Sequence, residues 1–154
     1  MGNGKIRRGL VSPTLKTNYG FEERAKMTNA EEFEKAWRLA YTKKDYSLIK
    51  PLLHPQYRMF DHRMGMVMDF ETEKSLIETL SPFLTMGPWK ILYENDDVYV
   101  ARLFSKHSDK EPRFLAIMAT ANLQDGKLIY AEIVREVLDF DPSEESDWNW
   151  EDYE

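Results

Sequence analysis

The stretch YRMFDHRMG, residues 57–65, sets a carboxylate, an imidazole and a guanidinium side by side at Asp61, His62 and Arg63. Either the three decorate a solvated turn ahead of Gly65, or one of them points into a pocket and does chemistry. Strand alternation places Tyr57, Met59 and Asp61 on one face and Arg58, Phe60 and His62 on the other. A second charged residue stands in apolar surroundings: Arg135 shares a row with Ile129, Ala131, Ile133 and Val137. Burying a guanidinium is costly unless it is paired. Arg135 therefore forms an ion pair with Asp61, anchors an anionic or carbonyl ligand, or keeps its stem buried and its head in water.

Other chemistries fit the sequence poorly. There is no cysteine, which excludes disulfides, thiolate catalysis and cysteine-based zinc sites, and the three histidines are His54, His62 and His107. His54 precedes Pro55 and reads as a helix terminator, His62 as structural or exposed, and His107 as a loop residue in KHSDKEP. No Ser-His-Asp order and no metal-ligand spacing emerges, so no metal is expected. Met59, Met64, Met66, Met68, Met86 and Met118 suit either a core or an irregular apolar ligand.

The chain is long enough, at 154 residues, to bury one core, and 42% hydrophobic residues argue against disorder. No apolar run reaches the ~20 residues of a membrane helix, and the start of the chain lacks both a secretory apolar centre and a myristoylation pattern. These features make a cytoplasmic location, with no membrane partner, the default expectation. The net charge of −6 divides into about +4 over residues 1–28, −7 over 141–154 and −3 between them, which argues against nucleic-acid binding. The expected organisation is a partly ordered basic arm (1–28), a domain (29–140) and an acidic tail (141–154). Trp148 and Trp150 in that tail would dock into a groove, recruit a partner, or simply be solvated, the last being the plainest reading.

NAEEFEKAWRLAYTK predicts an amphipathic helix capped by Asn29, with Glu32 three residues on and an apolar stripe at Phe33, Ala36, Trp37, Ala40 and Tyr41. A short second helix is expected from Tyr46 to about Leu53, ended by His54-Pro55. Strands follow at 57–62 and 64–68. A third helix then starts between Asp69 and Thr72, burying Leu76, Ile77, Leu80, Phe83 and Leu84. From Trp89 onward four segments rich in branched and aromatic residues, separated by turn signals, predict consecutive strands. Segregated helices and an antiparallel meander make the fold α+β. In segment 113–123 the row Leu115, Ile117, Ala119, Ala121, Leu123 is apolar, and so is much of the row Phe114, Ala116, Met118, Thr120. A partner subunit covering the second row would make a homodimer through the sheet.

The order and spacing of WRLAYTKKDYSLIKPLLHPQYRMFDHRMG and of QDGKLIYAEIVRE resemble the NTF2-like superfamily and its SnoaL-like and ketosteroid-isomerase-like branch, over about residues 29–140. The resemblance implies a cystatin-like cone, a curved antiparallel or mixed sheet wrapped around N-terminal helices with a pocket at the open end. It puts Asp61 at the position of a proton-shuttling aspartate. Trp37 and Met118 stand where ketosteroid isomerases carry oxyanion donors, and a thioether cannot donate, so ketosteroid isomerisation itself is not implied. Tyr41, one turn beyond Trp37, would bring a hydroxyl to the same cavity. The resemblance also turns Arg135 inward, and it turns Met118 and Thr120 inward, whereas hydrophobicity prefers the Leu115 row.

Two functions follow as expectations. One is cofactor-independent isomerisation, cyclisation or dehydration of an apolar, carbonyl-bearing substrate, with Asp61 as general acid or base and Trp37, Tyr41, Tyr57, Met59, Met118, Thr120 and Arg135 binding the substrate. The other is a non-catalytic ligand-binding or homodimeric module on the same fold.

Overall fold

The structure, a computed structural model, describes residues 28–154. The expectations placed on the basic arm lie outside these residues, save for Thr28. Helix α1 (Asn29–Lys43) begins one residue earlier than its sequence signal. Thr28 rather than Asn29 is the cap, its hydroxyl accepting from the Glu31 N–H at 3.2 Å while the Glu31 carboxylate accepts from the Thr28 N–H at 2.9 Å. The helix buries Ala30, Phe33, Ala36, Trp37 and Ala40, the predicted stripe extended by one turn.

The expected second helix is absent. Lys44 ends α1 in the left-handed region (φ +54°), and a turn and a single 3-10 turn at Lys50–Leu52 follow, with Pro51 in its opening positions. Strand β1 (Leu53–Asp61) then starts four residues before Tyr57 and carries His54 and Pro55 inside it. It tolerates the proline because its register on the neighbouring strand is irregular between Leu53 and Arg58. β2 (Met66–Met68) returns across a turn in which Gly65 adopts φ +63°. α2 (Phe70–Leu80), capped by Asp69, buries Glu73 and Ile77, while Leu80 and Phe83 are largely exposed, contrary to expectation.

Five more strands follow: β3 (Leu84–Met86), β4 (Lys90–Glu94), β5 (Val98–His107), β6 (Arg113–Gln124) and β7 (Lys127–Leu138). The β6–β7 hairpin turns at Asp125-Gly126, both at positive φ, as a two-residue hairpin demands. The sheet order is β2-β1-β7-β6-β5-β3, with β4 pairing β5 alongside β3. Among the described strands only β1 and β7 run parallel, and they lie side by side. The result is an α+β, cone-like fold: one mixed sheet whose enclosed face packs on α1 and α2 through Phe33, Trp37, Ile77, Tyr57, Tyr99 and Leu128.

Register settles the competing rows of β6. Leu103 pairs with Ile117 and Ser105 with Leu115, and paired residues share a face. Tyr99, Ala101, Leu103 and Ser105 are buried, so Leu115, Ala121 and Leu123 face inward with them. Met118 and Thr120 are thereby turned outward, correcting the inward placement. On β7 an irregularity beside Asn122 and Leu123 exchanges Leu128 for Ile129 on the inward row, which continues through Ala131, Ile133 and Arg135.

The acidic tail packs on the outer face of the sheet. The Trp148 ring stacks on Phe104 with centroids 6.3 Å apart, Trp150 stacks on Phe114 at 5.9 Å, and the two indoles meet edge to face at 4.8 Å. The Trp150 indole N–H donates to Asp141 at 2.9 Å, so the polar edge of a buried ring is satisfied. Apolar burial of aromatics outweighs the solvation of the surrounding carboxylates, which remain at the surface. Replacing Trp150 by Ala is expected to lower unfolding stability by about 3 kcal/mol, against well under half of that for Trp150→Phe, as measured by urea denaturation. Stability of Trp150→Ala equal to that of the wild type would show that the docked ring contributes nothing.

Candidate active site

Between the helices and the enclosed face of the sheet lies a cavity of about 350 Å³. That is within the range of small-molecule sites. Trp37 and Tyr41 from α1, Tyr57, Met59 and Asp61 from β1, and Arg135 from β7 all line it. With Thr120 they make seven of the eight site residues expected from the sequence. Met118 is 40% exposed on the outer face and does not line the cavity. Thr120 borders the cavity but belongs to the same outward row and is exposed.

Asp61 is fully buried. The strand register explains its partner: Asp61 lies beside Ile133 on parallel β7, and Arg135 is the next residue on that face. Arg135 Nη1 donates to Asp61 Oδ2. The other oxygen, Oδ1, accepts from the backbone N–H groups of Arg63 (3.0 Å) and Met64 (3.1 Å), and the Asp61 carbonyl accepts from Gly65 N–H at 2.8 Å. The same side chain thus caps the turn and lines the cavity. His62 points away, as alternation predicts, and pairs with Glu132 at 2.9 Å on the outer face.

The sequence reading missed a second buried carboxyl. Glu73 on α2 lines the cavity and accepts from the Tyr57 hydroxyl at 2.6 Å through Oε2. Burial pushes its pKa up to about 7, opposed by the Tyr57 hydrogen bond and by Arg135, and reinforced by Asp61. The hydroxyls of Tyr41, Tyr57 and Tyr99 are pushed well up by burial, so they stay protonated donors. Glu73 was legible in principle: it stands three and four residues before Leu76 and Ile77, on the helix stripe that must face inward.

Ser105 and His107 were also missed, although they continue the period-two row Tyr99, Ala101, Leu103 of β5. His107 is therefore the last residue of a strand and lines the cavity, not a loop residue. Its pKa is lowered by burial first and then by Arg113, with Asp109 opposing and Arg135 and Arg63 adding to the fall. The Ser105 hydroxyl and the Trp89 indole N–H are buried without a hydrogen-bond partner among the described residues, and both residues line the cavity. Arg63 and Arg113 are exposed and border it, giving one side a cationic rim. Among the described residues no cluster of His, Cys, Asp or Glu has the makings of a metal site, and no helix is long and apolar enough to cross a membrane.

No protein-family model matches the chain, and no curated protein does. Solved structures do. IdmH, a proposed polyketide cyclase from Streptomyces antibioticus, superposes with a TM-score of 0.60 at 11% identity, covering 71% of this chain and 93% of that one. A protein of ketosteroid-isomerase-like fold from Catenulispora acidiphila, in complex with trimethylamine, gives 0.55 at 14% identity over 67% and 84% of the two chains. An NTF2-like protein of unknown function from Cytophaga hutchinsonii gives 0.55 at 10% identity over 72% and 92%. At these identities the likeness speaks for the backbone and not for the chemistry. Together with the cone-like mixed sheet and its enclosed cavity, it places the chain in the NTF2-like fold, alongside SnoaL-like and ketosteroid-isomerase-like proteins.

Proposed function

We propose that the cavity binds an apolar small molecule carrying a carbonyl group and that Asp61 exchanges a proton with it as general acid or base, without a cofactor. The observation that carries this reading is a fully buried carboxylate on the wall of an apolar cavity, held by Arg135 and flanked by Tyr57 and Met59 on the same strand face. Isomerisation, cyclisation and dehydration all begin with removal of a proton beside a carbonyl. Trp37, Tyr41, Tyr57 and Met59 supply the apolar and aromatic walls against which such a molecule would lie. The similarity to a proposed polyketide cyclase agrees with that class of substrate.

One observation favours a second reading, a ligand-binding module without catalysis: both Asp61 oxygens already accept hydrogen bonds from three protein donors. The two readings separate with a simple enolisable ketone, 2-acetylnaphthalene, in deuterated buffer. Catalysis predicts deuterium entering its methyl group, followed by mass spectrometry, and a fall of about a hundredfold or more for Asp61→Asn with the circular dichroism spectrum retained. Binding without exchange in the wild type would leave only the ligand-binding reading.

The outer sheet face supports a further part of the proposal, a homodimer. Met118 and Val134 are paired neighbours, 40% and 50% exposed, and the docked tail covers Phe104 and Phe114 but not them. Light scattering is expected to give twice the chain mass at micromolar concentration, reverting to the monomer mass in Val134→Glu. A monomeric wild type would remove the dimer.

A further inference from the structure

The proposed reaction needs a partner for the carbonyl oxygen as well as a base for the α-carbon. Of the two buried carboxyls in the cavity, Asp61 is engaged on both oxygens, one of them by a guanidinium. Glu73 is engaged on one: Oε2 accepts from Tyr57, and Oε1 has no hydrogen-bond partner among the described residues. The residue is 6% exposed and lines the cavity, so Oε1 is the carboxyl oxygen left free for a ligand seated there.

We infer that Glu73 is a catalytic residue of this site, present as the neutral acid and donating its Oε1 hydrogen to the carbonyl oxygen of the ligand. The geometry suits the neutral form. The carbonyl-type oxygen of the acid, Oε2, accepts from Tyr57, which leaves the O–H on Oε1. Burial favours the same form, with a pKa of about 7. Two carboxyls whose surroundings differ in this way divide the roles of acid and base between them.

This inference rests on the ketone reading above and completes its chemistry. Asp61 takes the α-proton and the C–H electron pair becomes the C=C bond. The carbonyl π pair moves onto oxygen, which receives the Glu73 proton. The products are an enol, a protonated Asp61 and a Glu73 carboxylate, and reversal restores all three without any net oxidation.

The charged and titratable groups facing Glu73 are Tyr57 and Asp61 from β1, Arg135 from β7, Tyr41 from α1 and Tyr99 from β5. The tyrosines remain protonated donors, so a transition near neutrality belongs to Glu73 or, across the cavity, to His107.

The test uses 2-acetylnaphthalene with a ¹³C-labelled carbonyl. In Glu-labelled protein, the carboxyl carbon signal lost in Glu73→Gln is expected to titrate near pH 7. Bound to the wild type below that pH, the probe's carbonyl stretch should move to lower frequency. Because the donor is lost on ionisation, affinity should fall roughly tenfold as the pH rises through the transition. Glu73→Gln keeps an N–H donor and the side-chain volume, so it should bind with an affinity that is flat across the same range.

Titration of Glu73 in the ordinary carboxylate range overturns the inference. So does a wild-type carbonyl stretch that ignores pH, and so does an unchanged pH profile in Glu73→Gln, which would point to His107. If the ketone binds and exchanges deuterium while these signatures fail, Glu73 falls and the proposed function stands. If no ketone binds the wild type at any pH, both fall.

Discussion

The site depends on the pairing of β1 with β7. Among the described strands it is the one parallel contact, and it joins segments that the chain reaches more than seventy residues apart. That contact sets Asp61 beside Ile133 and so brings Arg135 within reach on the inward face. A buried ion pair of this kind adds little net stability compared with apolar residues of the same shape, because desolvation of both charges offsets their attraction. What it supplies is definition. A one-residue slip of β1 on β7 would bury Phe60 and His62 in place of Met59 and Asp61 and leave Arg135 with no counter-charge, a far more expensive error than any loss of apolar area.

Around that pair the cavity is built from unequal polar groups. Asp61 is compensated by a guanidinium and two backbone amides, whereas Glu73 has one phenol and low-polarity surroundings. The difference follows from the elements that carry them. The turn after β1 aims two free N–H groups at Asp61, whereas Glu73, in the first turn of α2, accepts from none: its own N–H goes to the Asp69 carbonyl and the Thr72 N–H to the Asp69 side chain. One carboxyl was placed where the backbone can solvate it and the other where it cannot.

Much of this was legible in the sequence, for definite reasons. The stripe of α1, the alternation at Tyr57, Met59 and Asp61, and the turn signals between the later strands are local patterns that tertiary packing reinforced. The ion pair of Arg135 with Asp61 was among the alternatives because a lone cation on an apolar row demands a partner. The failures share a different origin. The helix expected over 46–53 gave way to a turn and a 3-10 turn, and the strand begins as early as Leu53 because β7 offers a ladder from that residue on, a long-range term that propensity does not contain. Met118 and Thr120 were turned inward by likeness to other proteins against the apolarity of the Leu115 row, and the β5 register sided with apolarity. Glu73 and His107 were passed over because polar residues within an apolar periodicity read as interruptions, when the periodicity itself was the evidence that they face inward.

The notch at Gly87 ties distant parts of the chain to one another. A Cβ there would sit 3.3 Å from the Phe104 carbonyl oxygen and 3.3 Å from the Trp148 ring, and that carbonyl is itself fixed by the Gly87 N–H at 2.8 Å. Arg38 of α1 holds the carbonyls of Met86 and Gly87 at 2.9 Å each and lies over the Tyr153 ring at 4.9 Å. Positions 38, 87, 148 and 153 therefore make one energetic unit despite their separation in sequence, and their substitution effects should be far from additive. Among related chains such a unit would change in concert: a side chain at 87 calls for a smaller ring at 148 and for a shift of the Phe104 carbonyl, so a chain that dispenses with the tail is released from one of the two contacts and not from the other.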